Sequence, residues 1–206
     1  MSELQLNTQE KQASYGIGLQ MGEQLAANPF DGLEISAISA GISDAFAGAE
    51  SQVSREDLQT AFEVISGRMQ AAAAEQAEVL GAAGAAYLAE NAAKEGVTVT
   101  ESGLHYEVIT LGEGEKPTAE STVSVHYHGT LTDGTVFDSS VERGEPAEFP
   151  IGGVIAGWTE ALQLMPVGSK FKLAVPADLA YGERGAGAAI GPHATLVFEV
   201  ELLAIK

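Results

Sequence analysis

The sequence predicts an α+β chain: an all-helical first half with a long third helix, then an antiparallel β-sheet covered by one short helix. Three observations carry this reading. Apolar residues up to Gly96 recur at helical spacing, and those after it alternate. Eight of the thirteen Phe, Trp and Tyr residues lie beyond Gly96. The expected domains are 1–96, helical, and 97–206, sheet-bearing.

The first helix is read from Tyr15, Leu19, Gly22 and Leu25/Ala26 on one face. Asn28-Pro29 breaks it. Ile35, Ile38, Ile42, Ala45 and Phe46 repeat the period, and Gly48 closes that segment. The third helix opens at Ser54, where Ser54-x-x-Asp57 resembles a capping box. Its apolar stripe runs through Leu58, Phe62, Ile65, Met69, Ala72, Gln76, Val79, Ala83 and Ala86. Lys94 falls in its last turn and Gly96 supplies the stop. About 42 residues at ~1.5 Å each make roughly 60 Å of helix, longer than a domain of this size covers. Gly67, Gly81 and Gly84 each cost ~1 kcal/mol relative to Ala, and one of them is a candidate kink. Two readings stay open. The half is a dimerisation module with a long arm, Gly18-x-x-x-Gly22 giving another helix a small face to approach. Alternatively it is a monomeric helical domain with its third helix broken in two.

In the second half, Leu104, Tyr106 and Val108 alternate. So do Val123, Val125 and Tyr127, with Ser124, His126 and His128 on the other face. Asp133-Gly134 is a hairpin signal between two β-prone runs. Phe171, Leu173 and Val175 alternate against Lys170 and Lys172, and Leu196, Phe198, Val200 and Leu202 against Glu199 and Glu201. Between them Gly157–Leu164 reads as one short helix, ending before Met165-Pro166.

Charge and composition remove several function classes. Ten Lys and Arg face 29 Asp and Glu, a formal −19, so the basic footprint for nucleic acid is missing. An anionic membrane would repel this surface. Neither nucleic acid nor membrane is an expected partner. With no cysteine, disulfides, thiol catalysis and thiolate metal sites drop out. The N-terminal segment lacks a basic n-region and an unbroken apolar core, and no apolar run approaches the ~18 residues of a membrane span. A cytoplasmic location is the expectation.

The run Gly185-Ala-Gly-Ala-Ala-Ile-Gly191 imitates a dinucleotide-binding loop. Such a loop must follow a strand, open a helix and precede a ribose-binding acid by about 20 residues. Here Pro192 and a strand follow, and the sequence ends first. The run is read instead as a flap over a groove. No nucleophile elbow surrounds Ser139 or Ser140. His126 and His128 share a strand face, but a zinc site needs a third protein ligand that the spacing does not place. What remains is an aromatic and aliphatic set: Tyr127, Phe137, Phe149, Val154, Ile155, Trp158, Tyr181, Ile190 and Phe198. From composition alone each is as well explained by the core.

The order of these residues carries more. VHYHGTLTDGTVFDSS, then GGVIAGWTEALQLMPVGSKFKLAVP, then AYGERGAGAAIGPHATLVFEVELL closely resemble the FK506-binding proteins, or FKBPs, a family of peptidyl-prolyl cis-trans isomerases. The likeness spans 103–206. The helical half resembles the N-terminal dimerisation region of the bacterial macrophage-infectivity-potentiator-like group, through Ala13-Ser14-Tyr15-Gly16 and the long third helix. The resemblance implies a half-open sheet wrapped round the short helix, with an apolar pocket between them. Trp158 would form its floor. Tyr127, Phe137, Val154, Ile155, Tyr181 and Phe198 would line its walls, with Ile190 on the flap, and Phe149 is a further expected substrate-binding residue. Asp138 and Arg143 would be a carboxylate and its basic partner. The Ile155 N–H and the Tyr181 hydroxyl would bond ligand carbonyls. Ala147, Ala186, Ala189 and Gly191 depart from the family pattern and imply a smaller, looser rim.

The expected function is therefore X-Pro isomerisation in folding proteins, with chaperone-like client binding by a homodimer. Expected partners are proline-containing unfolded chains and FK506- or rapamycin-type macrolides. No cofactor and no metal are expected, because rotation about a bond requires neither. The rival readings are a holdase on the same fold that turns over few prolines, and an assembly protein whose second domain only recognises one partner.

Overall fold

The computed structural model describes residues 5–27 and 29–206. The expected break at Asn28 and the first four residues of the N-terminal segment lie outside these. The chain divides into two compact units, one up to Ala72 and one from Ala73 to Lys206.

The first unit holds α1 (Gln9–Ala27), α2 (Ile35–Ala47) and the beginning of α3 (Arg55–Ala92). Gly48 ends α2 in the left-handed conformation, as a C-terminal glycine does. At Ser54 the hydroxyl accepts from the Asp57 N–H at 3.1 Å and donates to the Asp57 carboxylate at 2.7 Å. This satisfies one of the four N–H groups that a helix start leaves free. From there α3 runs without a break for 38 residues, roughly 57 Å, past all three of its glycines. No described residue of the first unit is buried.

The second unit takes the last part of α3 and all the strands. These are β1 (Val97–Val99), β2 (His105–Thr110), β3 (Thr122–Leu131), β4 (Val136–Ser139), β5 (Ala147–Pro150), β6 (Lys170–Val175) and β7 (Leu196–Ile205). All pairings are antiparallel, in the order β1-β2-β6-β7-β3-β4, with β5 also on β3. The alternation in the sequence is the alternation in the sheet. Val123, Val125, Tyr127, Leu173, Val200 and Leu202 enter the core, while Lys170 and Glu199 pair across the outer face at 2.8 Å. Asp133-Gly134 turns β3 into β4.

Helix α5 (Ala156–Leu164) places Trp158, Ala161 and Leu162 in that core. It reaches the sheet because residue 157 has no side chain. A Cβ there would lie 2.5 Å from Val175 Cγ1.

The end of α3 packs differently from the expected stripe. Val79, Ala83 and Ala86 face solvent, Val79 being 62% exposed, and Gln76, though exposed, lays its amide beside Gly191. The inward positions are Ala77, Leu80, Gly81, Gly84, Tyr87, Leu88 and Asn91, one residue further round. The displaced stripe includes glycine and asparagine, so hydrophobicity does not mark it. Asn91 explains its own burial. Its carbonyl accepts from Lys94 Nζ at 3.3 Å, which turns its amide NH2 toward His105 Nδ1, also at 3.3 Å. His105 is buried and accepts that bond as a neutral imidazole.

Two outcomes are expected. Gly157→Ala should lower stability by about 1–3 kcal/mol, the usual cost of overpacking, read by urea unfolding. An unchanged midpoint would mean α5 and β6 are not in tight contact. Burial also holds the His105 pKa below the ordinary histidine value. The folded state then resists protonation more than the unfolded one. Its contribution is complete above about pH 6.5 and is lost as pH falls toward the folded pKa. The melting temperature of His105→Gln should fall less than that of wild type between neutral pH and about pH 5. Parallel curves would contradict this.

Candidate active site

A cavity of about 460 Å³ opens between α5 and the sheet. Its base is the indole of Trp158, fixed near the start of α5. The Ile155 carbonyl accepts from the Trp158 and Thr159 N–H groups, both at 3.0 Å, and starts that helix. Three rings meet the indole nearly edge-on: Tyr127 from β3 at 5.2 Å and 83°, Phe149 from β5 at 5.8 Å and 88°, and Phe198 from β7 at 5.2 Å and 75°. Edge-to-face contacts of this kind contribute ~0.5–1.5 kcal/mol each beyond burial. The indole Nε1 is buried with no hydrogen-bond partner among the described residues.

Phe137 adds a fourth wall, 5.5 Å from Phe198 at 88°. It fits because Gly129 on β3, whose register partner is Asp138, has no side chain. A Cβ there would stand 2.7 Å from the Phe137 ring and 3.0 Å from Phe198. The β3–β4 register slips between Gly129 and Thr130. At such a bulge neighbouring residues need not point to opposite faces, and both Phe137 and Asp138 line the cavity. Val154 and Ile155 complete the wall from the turn before α5, and Tyr181 stands at the rim, 42% exposed.

Asp138 is the only charged group in the lining. The Ser139 hydroxyl accepts from the Glu142 N–H at 3.2 Å and starts the single turn α4 (Ser140–Arg143). That turn brings Arg143 back to the carboxylate. Tyr127 Oη donates to Asp138 Oδ2, Arg143 Nη1 donates to Oδ1, and Arg143 Nη2 donates to Tyr127 Oη at 2.9 Å. The guanidinium also lies 5.6 Å from the Tyr127 ring centre. Burial alone would raise the Asp138 pKa, but the bonds from Tyr127 and Arg143 outweigh it and hold the carboxyl below its usual range. Burial, then the bond to Asp138, raises the Tyr127 pKa. The set is a neutral phenol on an ion pair, with no proton poised to move near neutrality.

The structure thus gathers nine of the predicted site residues around one cavity: Tyr127, Phe137, Asp138, Phe149, Val154, Ile155, Trp158, Tyr181 and Phe198. Arg143 reaches it only through Asp138 and Tyr127. Ile190 is not in the lining. It is 7% exposed and sits in the core cluster. Its backbone bonds Ala186 in both directions, at 2.8 and 3.1 Å, closing a tight hairpin. Gly185 and Gly187 have positive φ there, which is the task of the glycine-rich run. The space beside Gly191 is not loose either, since a Cβ would meet Leu80 Cδ1 at 2.5 Å. Gly153 lines the cavity and was not expected to. Its only signal was adjacency to Val154-Ile155. His126 and His128 bond separate serines, Ser140 at 3.1 Å and Ser139 at 3.0 Å. No group of three metal-ligating side chains occurs among the described residues. No described helix is long and apolar enough to cross a membrane.

Comparison with known proteins agrees with this geometry. Residues 113–203 match the family model described as FKBP-type peptidyl-prolyl cis-trans isomerase, and 10–108 match the domain amino terminal to it. The chain is 56% identical over 199 residues to the FKBP-type 22 kDa peptidyl-prolyl cis-trans isomerase of Escherichia coli strain K12, covering 97% of each chain. It is 40% identical to the outer membrane protein MIP of Legionella longbeachae, covering 98% of this chain and 88% of that one. The crystal structure of FkpA from Escherichia coli superposes with a TM-score of 0.68 at 37% identity, over 97% of this chain and 98% of that one. The chain belongs to the FKBP-type peptidyl-prolyl cis-trans isomerases, in the group that carries a helical domain ahead of the isomerase fold.

Proposed function

We propose that the cavity over Trp158 is where the isomerase turns X-Pro bonds, and that it does so by solvation and grip rather than by proton transfer. The observation that carries this is the lining: aromatic and aliphatic walls around one indole, with a single carboxylate already paired. The barrier to rotation, ~18–20 kcal/mol, comes from amide resonance. Resonance makes the planar amide polar, and twisting removes it. A dry apolar cavity therefore favours the twisted amide over the planar one. Trp158, Tyr127, Phe149 and Phe198 would hold the proline ring, with Val154 and Phe137 beside it. The Tyr181 hydroxyl and the Ile155 N–H would hold carbonyls of the chain so that only one side turns. Asp138 and Arg143 would fix Tyr127 and shape polarity. FK506- and rapamycin-type macrolides would occupy the same cavity, with Ala147 offering them less wall than an aromatic would.

The helical unit supports a second element of the reading, a homodimer. It has no buried residue, yet it carries large apolar side chains such as Phe46, 96% exposed, and Phe62, 72% exposed. An apolar groove also runs between α2 and the start of α3, lined by Ala40, Ala45, Val53 and Leu58. A helical unit with no core of its own needs a partner surface, and a second copy supplies one of matching character. Two isomerase cavities on one dimer would raise the effective concentration at which an unfolded chain meets them, which is the proposed basis of chaperone-like client binding.

In a protease-free assay on an Ala-Pro-Phe peptide, Tyr181→Phe should lose up to about tenfold in kcat/KM, the worth of one neutral hydrogen bond. Trp158→Ala should lose far more while remaining folded by circular dichroism. Wild-type rates in both would move the site elsewhere. For the dimer, Phe46→Glu with Phe62→Glu should sediment as a monomer where wild type sediments as a dimer. The variant should keep its rate on the peptide and slow the proline-limited refolding of an unfolded protein. Equal loss on both substrates would reject the division of labour.

A further inference from the structure

The last turns of α3 lie against the loop that follows Tyr181. A Cβ on Gly84 would stand 2.4 Å from Thr195 Oγ1 and 3.0 Å from its Cβ, so helix backbone and loop are in direct contact. One turn earlier, a Cβ on Gly81 would be 3.8 Å from His193 Cβ. From the other side, a Cβ on Gly191 would meet Leu80 Cδ1 at 2.5 Å and Gln76 Nε2 at 3.0 Å. Two elements thus interlock through glycines on both, and all these residues belong to the second unit.

The loop is closed at the place where the helix touches it. The His193 N–H donates to the Gly182 carbonyl at 2.8 Å, making residues 182–193 a ring of chain with one neck. His193 has φ +56, and it is the one non-glycine residue with positive φ among those described. Such a conformation persists only where surroundings hold it. Both ends of the loop continue into the cavity wall. Tyr181 immediately precedes Gly182, and Phe198 follows Thr195 by three residues. Ile190 and Leu80 pack on the same core.

We propose that the Gln76–Gly84 stretch of α3 is a positioning element for the 182–193 loop and, through its neck, for Tyr181. Gln76, Leu80 and Gly84 are positioning residues that touch no substrate. They set where the Tyr181 hydroxyl stands, and so set how tightly the substrate is held. The glycine at 191, one of the departures from the family pattern, opens the space that Leu80 fills. The inference rests on the proposed role of Tyr181 and extends it.

The test uses the full-length chain and Ala-Pro-Phe peptide kinetics resolved into kcat and KM. Leu80→Ala removes the contact, and Gly84→Ala forces helix and loop apart. Gly67→Ala makes the same exchange in the same helix where a Cβ meets nothing within 4 Å. Trp158 is the single tryptophan of the chain, so its fluorescence reports on the cavity without a label. Leu80→Ala and Gly84→Ala should raise KM about 3- to 30-fold, the range of positioning effects transmitted through packed contacts, with kcat nearly unchanged. Both should also increase quenching of Trp158 by acrylamide. Gly67→Ala should match wild type, and Thr195→Ala added to Gly84→Ala should recover part of the loss. If Gly84→Ala does not fold, Leu80→Ala decides alone. A folded Leu80→Ala variant with wild-type KM and quenching overturns the proposal. So does a fall in kcat and KM signal that tracks only the unfolded fraction. Tyr181→Phe is run beside them. If that variant is fully active, the reading of Tyr181 has failed. If it is impaired while Leu80→Ala is not, only the positioning role has.

Discussion

The second unit is organised by one requirement: a buried indole must be enclosed by other rings and still line a cavity. Trp158 meets this because three rings from three strands touch it edge-on. Each ring imposes a condition elsewhere. Tyr127 must point inward from β3, so β3 must keep its register with β7, where Tyr127 faces Val200. Phe198 and Phe137 need the empty place at Gly129. The helix carrying the indole must sit close to β6, which Gly157 permits. A shift in any of these would either fill the cavity or flood it. Rings in this arrangement are rigid, with few rotamers to lose when a ligand arrives, which is the condition for a preorganised site.

A carboxylate in the wall of a largely aromatic cavity would ordinarily draw in water, since an unpaired charge taken from solvent is costly. Here the charge is matched at its source. Arg143 returns on the single turn capped by Ser139, and Tyr127 takes the remaining oxygen. The ion pair is about half exposed, so its own energy is screened, and its value lies in geometry. It fixes the phenol that forms part of the wall. The cavity keeps an oriented polar side without a net charge.

Much of this was legible in the sequence. Strand alternation named the inward residues of β3, β6 and β7, and Asp133-Gly134 named the hairpin. Ser54 marked the start of α3, whereas the cavity was implied only by the resemblance to the FKBP family. These signals are local, because periodicity and turn chemistry are properties of neighbouring residues. What was misread depended on what lay opposite. Val79 belongs to a regular apolar stripe and faces solvent, while Gly84 and Asn91 are buried. No periodicity marks a helix face whose partner is a loop backbone and a histidine. Gly191 reads as a loosened rim until Leu80 is seen in the space it leaves. Ile190 reads as a flap contact, but a hairpin closed on Ala186 turns it into the core. A glycine in a sequence announces either freedom or proximity, and only the tertiary partner distinguishes them.

The central proposal is that the isomerisation proceeds without proton transfer, in a cavity where Asp138 is held ionised and Tyr127 neutral. Its most direct test is kcat/KM for a short X-Pro peptide in H2O and D2O, across pH 6 to 8. The account predicts an isotope ratio near unity and a flat pH profile, because twisting the amide moves no proton and Asp138 stays ionised throughout. A rate that falls severalfold in D2O, along a single titration that Asp138→Asn abolishes, would contradict it and make that carboxylate an acid–base catalyst.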